Sequence, residues 1–356
     1  MAKLSKKQKI LTILLASFAG LSGTAVSSVV IAYDAFFQRY DRPDYALYPG
    51  QYCIERMPEL SGREETWIQS GDHKIKAYYY EAKNSLGLVV FAHGFHAGAD
   101  EYLPIFKYLT EHGFSVFTYN VTGTYESEGE GTEGMCQSLV EIDNVIGYLQ
   151  KHPRFMDMPL LTMGHSWGGY AASAVLALKK GIKACAVIAP MNNGATVMLE
   201  KGEQYVGKIS NAGKPVFYAY QKALFGSYVN ESGVKGINSV DIPVLVAQGI
   251  DDETITYDGQ SITAKKSEIT NKNVTYYIGR GVHGDHNNIW HSKEACLYQL
   301  EVASDLKLLE IQKGDKLTDS EKAEYFKNVN HELYSAVNLP LMERVVDTFK
   351  KGLNVK

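Results

Sequence analysis

Short apolar runs alternate with amphipathic stretches along most of the chain, and this alternation predicts the architecture. Seven runs rich in β-branched and aromatic residues read as strands: KIKAYYYE, LGLVVFAHG, FSVFTYN, PLLTMGHS, KACAVIAP, IPVLVAQG and NVTYYIG. Several are almost uninterrupted in apolar character, as expected of strands covered on both faces. Between them, DEYLPIFKYLTEHG, MCQSLVEIDNVIGYLQKH, WGGYAASAVLALKKG and GQSITAKKSEI carry apolar residues at helical spacing. Such alternation predicts an α/β fold: a mostly parallel central sheet flanked by helices.

The rhythm breaks between about residues 191 and 241, where helix-like material carries Tyr205, Phe217, Tyr218, Tyr220, Phe225 and Tyr228 but no core strand. This interval reads as a helical lid inserted into the α/β domain; the alternative is an extra packing layer, since aromatic stripes at helical spacing usually pack. Beyond Ser292, a suitable N-cap, helical patterns dominate in SKEACLYQLEVASDLKLLEIQ and LPLMERVVDTFKKGL. The expected organisation is an N-terminal membrane anchor or signal sequence (1–33), a tyrosine-rich connector (34–61), the α/β domain (62–312) and a C-terminal helical extension (313–356).

The N-terminal assignment rests on charge. Lys3, Lys6, Lys7 and Lys9 precede a stretch from Ile10 to Tyr33 without a charged side chain. As a helix it would run about 36 Å, enough to cross a hydrocarbon core of roughly 30 Å. Lysines before it and mixed charges after it predict a single-pass membrane protein with its catalytic part on the non-cytoplasmic side. Small residues at Gly23 and Ala25 offer the alternative of a cleaved signal and a secreted product.

Composition narrows the field further. With 45% hydrophobic and 21% charged residues over 356 positions, the chain can bury a large core. A net charge of -4 and the lack of a basic stripe exclude nucleic acid as the expected partner. The four cysteines, Cys53, Cys136, Cys185 and Cys296, are too scattered for a disulfide framework and read as core residues.

The candidate chemistry centres on GHSWGG. Gly164-His165-Ser166-Trp167-Gly168 follows a buried strand and opens a small-residue helix, the context in which a sharp turn exposes a serine hydroxyl. Glycines two residues to either side remove side chains that would collide with strand and helix. A serine hydroxyl is a poor nucleophile at neutral pH, so it needs a histidine and an orienting carboxylate. Asp251 and Asp252 both follow the strand ending at Gly249, and either would lie near the top of the sheet. The loop after the last strand offers His283, His286 and His291. His286 is the leading candidate because its spacing from Ser292 lets the loop drop an imidazole before the closing helix starts. A metal bound by this histidine cluster with Asp285 has no supporting HExxH-type spacing. Oxyanion donors are expected from the amides of Phe95, in the turn after VVFAHG, and Trp167. His93 and His96 are expected to hold that turn by hydrogen bonds.

AHGFH, GHSWGG, GIDD and GDHNNIW, in this order between about Glu65 and Leu300, resemble the α/β-hydrolase superfamily, in particular its monoacylglycerol-lipase-like and serine-aminopeptidase-like branch. NVTGTYESEG (residues 120–129) resembles that branch's D-x-R-G-x-G-x-S-x-G loop, with Asn120, Thr122 and Tyr125 in place of the aspartate, the arginine and a glycine. These departures bear on pocket shape and hence on substrate. The resemblance implies an acyl-serine mechanism without cofactor or metal, in which Ser166 attacks, His286 shuttles the proton and Asp252, chosen over Asp251 on the family spacing, orients the imidazole. An esterase acting on hydrophobic or lipid-like acyl substrates is the leading expectation, motivated by the aromatic lid and the anchor. The alternatives are a peptidase using Glu200, Glu203 or Glu231 to hold a substrate ammonium, and a non-catalytic binding protein of the same fold.

Overall fold

The computed structural model describes residue 10 and residues 23–179, 181–207 and 213–355. Eight strands form one sheet: β1 (Glu64–Ser70), β2 (His73–Tyr80), β3 (Gly87–Ala92), β4 (Phe114–Tyr119), β5 (Leu160–His165), β6 (Ile182–Ile188), β7 (Val244–Gly249) and β8 (Val274–Gly279). Their order is β1-β2-β4-β3-β5-β6-β7-β8. Pairing is antiparallel from β1 through β2 to β4 and parallel from β4 onward. Strands β3, β4, β5 and β7 are buried along their whole length, which explains their unbroken apolar sequences. The sequence pattern missed β1 (EETWIQS), an edge strand whose residues are mostly exposed.

Helices cover both faces. Helix α2 (Leu103–Glu111) and the last helix, α11 (Leu339–Leu353), contribute Leu103, Phe106, Val345 and Phe349 to the core on one side. Helices α3 (Gln137–Leu149) and α4 (Trp167–Ala174) supply Leu139, Ile142, Tyr170 and Ala171 on the other. The end of the expected C-terminal extension therefore packs on the central sheet, against β6 and β7. Helices α8 (Lys293–Lys313), α9 (Asp319–Phe326) and α10 (His331–Ser335) intervene, with a small cluster of their own around Val302, Phe326 and Val329. Ser292 caps α8, accepting from the Ala295 amide at 3.0 Å. The helix expected at GQSITAKKSEI is instead a short 3-10 segment, Thr263–Glu268, broken by non-helical dihedrals at Lys265. All four cysteines are buried and free.

Between β6 and β7 the chain forms α5 (Gly194–Val206), α6 (Lys214–Phe225) and α7 (Gly233–Asn238). Against α6 lies α1 (Gly23–Phe36), with Val26, Val30 and Tyr33 buried and Tyr33 edge-on to Tyr220 at 5.2 Å. The expected N-terminal membrane helix is thus not supported. Residues 1–9 and 11–22 of it lie outside the described residues, and among the described residues no helix is long and apolar enough to cross a membrane. One apolar edge of α1 is occupied by protein, because Tyr33 packs with Phe37, Phe217 and Tyr220 and the Tyr220 hydroxyl donates to Asp34 at 3.0 Å.

Candidate active site

Ser166 stands at the tip of the turn from β5 into α4 with φ 54° and ψ −114°. This left-handed backbone is costly for a residue with a Cβ and persists only because its surroundings enforce it. The flanking glycines permit the crossing: a Cβ at Gly164 would lie 2.3 Å from the Gly168 carbonyl oxygen, and one at Gly168 would lie 1.9 Å from that of Ala92. The Ser166 amide donates to Ile188 at the end of β6 (2.8 Å), so the turn is tied to the neighbouring strand.

The loop after β8 brings His286 to this serine, with Nε2 2.9 Å from Ser166 Oγ. His286 Nδ1 is 2.7 Å from Asp252 Oδ2. An ionised carboxylate only accepts, so Nδ1 carries the ring proton and Nε2 is left to accept from the serine. Asp252 is itself held by four donors: His286, the amides of Thr254 (2.9 Å) and Ile255 (2.7 Å), and Gln248 Nε2 (2.8 Å). Gln248 belongs to the otherwise apolar strand β7, and a single polar side chain in so buried a run was the sequence signal for it. The other candidates do not join this hydrogen-bonded chain. Asp251 is exposed on the turn, His283 sits in the 3-10 turn Gly281–His283, and His291 is buried against the Trp290 ring at 3.7 Å. No group of metal-ligating side chains is found among the described residues.

A second network ties three loops together. The Gly94 amide donates to the Tyr102 hydroxyl at 3.0 Å, and that hydroxyl is 3.0 Å from His165 Nδ1. On its far side His165 Nε2 is 3.2 Å from the His286 carbonyl oxygen. A carbonyl accepts, so Nε2 carries the proton and Nδ1 accepts from Tyr102. Burial, aided by the nearby His286, pushes the His165 pKa down to about 3, so its ring is neutral at physiological pH. His93 behaves similarly: buried and depressed to about 4, it donates from Nδ1 to the Gly94 carbonyl (2.7 Å) while Nε2 accepts from the Val121 amide (3.0 Å). His96 differs from the hydrogen-bonding role expected of it and stacks between Phe95 (4.0 Å) and Tyr40 (5.4 Å). Phe95 follows Gly94, and Trp167 is the first residue of α4, whose amide the helix itself leaves without an acceptor. Both flank the serine: Gly94, Phe95 and Ser166 line one cavity, and the Phe95 and Trp167 rings meet edge-on at 5.3 Å.

That cavity, of about 680 Å³, is roofed by the connector through Tyr40, Tyr45, Tyr48 and Tyr52 and by Tyr334 from α10. Among the described residues none from 191–241 lines it. The lid aromatics Phe217, Tyr220 and Phe225 are instead buried in the core that includes α1. Helical spacing marks a buried face but not what covers it, and here the cover is the N-terminal helix.

A strained nucleophile turn between a parallel strand and a helix, with an imidazole and a carboxylate delivered by later loops, defines the α/β hydrolases. Residues 83–232 match the family model described as "Serine aminopeptidase, S33". An alpha-beta hydrolase from Vibrio vulnificus is similar at a TM-score of 0.52 and 18% identity, over 76% of this chain and 89% of that one. The esterase Pf2001 from Pyrococcus furiosus is similar at a TM-score of 0.50 and 17% identity, over 72% and 94%. At such identities these structures attest the fold. No curated protein sequence matches the chain. The chain has the α/β-hydrolase fold, and a little under half of it matches that family model.

Proposed function

We propose that the protein is a serine hydrolase that cleaves carboxylic esters through an acyl-serine intermediate. The observation that carries this reading is the continuous chain Ser166 Oγ to His286 Nε2 (2.9 Å) and His286 Nδ1 to Asp252 Oδ2 (2.7 Å), with the serine opening into a cavity. Ser166 Oγ attacks the ester carbonyl carbon as His286 Nε2 takes its proton, and the imidazolium formed is stabilised by Asp252. The carbonyl oxygen gains negative charge facing the Phe95 and Trp167 amides. Collapse breaks the carbon–oxygen bond and His286 returns the proton to the departing alcohol. Water, deprotonated by His286, then attacks the acyl-serine carbonyl, and release of the acid restores the serine.

The cavity lining of tyrosines, His96, Asn287 and Gln299 supports an ester with polar or aromatic groups more than a purely aliphatic chain. Hydrolysis of aminoacyl amides is the second reading, favoured by the description of the matching family model. Glu200, Glu203 and Glu231, considered for that role in the sequence, do not line the cavity. A fluorophosphonate probe tests the mechanism: the folded protein is expected to be labelled and Ser166→Ala to be silent. A folded wild type that stays unlabelled refutes it. Parallel panels of p-nitrophenyl esters and aminoacyl anilides separate the two substrate readings. Export of the catalytic part rests on the N-terminal charge pattern, and protease accessibility in intact cells tests it.

A further inference from the structure

The cavity above Ser166 contains a carboxylate that the hydrolysis of a simple ester does not use. Glu101 lines it and is half-buried. The preceding residue, Asp100, is fully buried and ion-paired with both Arg42 and Arg63. Glu101 has no ion pair among the described residues. Its Oε1 accepts from the Tyr125 hydroxyl and, at 3.4 Å, from the Gly98 amide.

The surroundings of this acid are built around it. Tyr125 has φ 50°, the left-handed region in which glycine would be unstrained, and it occupies one of the positions where the loop departs from the family pattern. Gly98 makes room for the phenol, since a Cβ there would lie 2.0 Å from the Tyr125 ring. The Tyr40 ring stacks on Tyr125 at 5.8 Å, and the Tyr45 hydroxyl donates to that of Tyr125 at 3.4 Å. A carboxylate drawn partly out of water with no cation beside it is unfavourable, and here desolvation raises the Glu101 pKa to about 7. Aromatic faces beside an anion are the surroundings that an ammonium group seeks.

We propose that Glu101, held by the Tyr125 hydroxyl and flanked in the cavity by Tyr40 and Tyr45, forms a subsite for an alkylammonium group carried by the substrate, which supplies the missing counter-ion. The proposal rests on the serine-hydrolase reading and adds the substrate class: esters bearing a positive charge.

Matched substrates test it. One pair carries the charge on the acyl side, the p-nitrophenyl ester of trimethylammoniobutyrate against its isostere with a tert-butyl group in place of trimethylammonium. The other carries it on the leaving side, butyrylthiocholine against the corresponding tert-butyl thioester. In at least one pair, wild type is expected to favour the cationic member in kcat/KM by roughly tenfold or more. Glu101→Gln, checked for folding by fluorophosphonate labelling, is expected to bring that ratio to within about threefold of one. Ratios near one for wild type in both pairs, or a preference that survives in Glu101→Gln, overturn the subsite while leaving the hydrolase reading intact. A folded wild type that neither reacts with the probe nor turns over any of the four compounds refutes the hydrolase reading, and the subsite falls with it.

Discussion

Replacing Tyr102 by phenylalanine removes one oxygen atom from the centre of the network joining the Gly94 turn, the nucleophile turn and the His286 loop. Two buried polar groups lose their partner: the Gly94 amide, 3.0 Å from the hydroxyl, and His165 Nδ1, also at 3.0 Å. Leaving a buried donor or acceptor unpaired costs about 1–3 kcal/mol each, so the expected loss of stability is roughly 2–6 kcal/mol. The catalytic effect is separable. The Gly94 amide is the tether of the turn that presents the Phe95 amide, and complete loss of one oxyanion donor costs about 100- to 1000-fold. A turn that keeps its His93 contacts and loses only the Tyr102 tether is expected to lose part of that, about 10- to 100-fold in kcat, with KM within about threefold. Denaturant unfolding alongside steady-state hydrolysis of a p-nitrophenyl ester measures both. A variant that loses the expected stability yet keeps kcat within about twofold of wild type would refute the idea that this network sets the oxyanion geometry.

Asp252→Asn is expected to lower kcat by about 1000-fold or more, because an amide can donate to His286 Nδ1 and stabilise the wrong tautomer, while labelling by a fluorophosphonate slows in parallel. Gly168→Ala sets a methyl group 1.9 Å from the Ala92 carbonyl oxygen, both on rigid elements, and is expected to cost about 3 kcal/mol or more in thermal or denaturant unfolding. The preference for cationic over isosteric neutral esters should rise as pH increases through about 7, since the Glu101 carboxyl, held up by burial, is neutral below that pH and anionic above it. Taking the ratio of the two kcat/KM values cancels every pH dependence that the two substrates share, and the ratio should be flat in Glu101→Gln. Stability follows the opposite course. The folded state retains the Glu101 proton to higher pH than the unfolded chain, so this residue's contribution declines as pH rises from about 5 through 7.

Strands β3, β4, β5 and β7 were legible because burial on both faces leaves an unbroken apolar run, and β2, β6 and β8, not buried throughout, through their short apolar and aromatic stretches. β1 was not, since an exposed edge strand such as EETWIQS satisfies its backbone on one side with side chains free to be polar. Ser166 was legible through its glycines and its strand-to-helix context, while Asp252 and His286 needed the family pattern or loop spacing to separate them from Asp251, His283 and His291. Tyr102, His165 as a relay between loops, and Glu101 were beyond the sequence. Each acts through partners distant in the chain, and a tyrosine in DEYLPIF looks like any other core aromatic until the Gly94 amide and the His165 ring arrive beside its hydroxyl. The aromatics of 191–241 meet the same difficulty in reverse, since helical spacing leaves open whether they form a lid or a packing layer, and only the neighbouring α1 shows what lies against them.

Phe36, at the end of α1, lies parallel to the Phe95 ring at 5.4 Å, Phe37 meets that ring edge-on at 5.5 Å, and Tyr40 stacks on His96. An expression boundary chosen where the strands begin would therefore amputate part of the active-site wall and report the properties of a different enzyme. Shortened forms should begin before Gly23, so that Phe36 and Phe37 keep their places against the Phe95 ring.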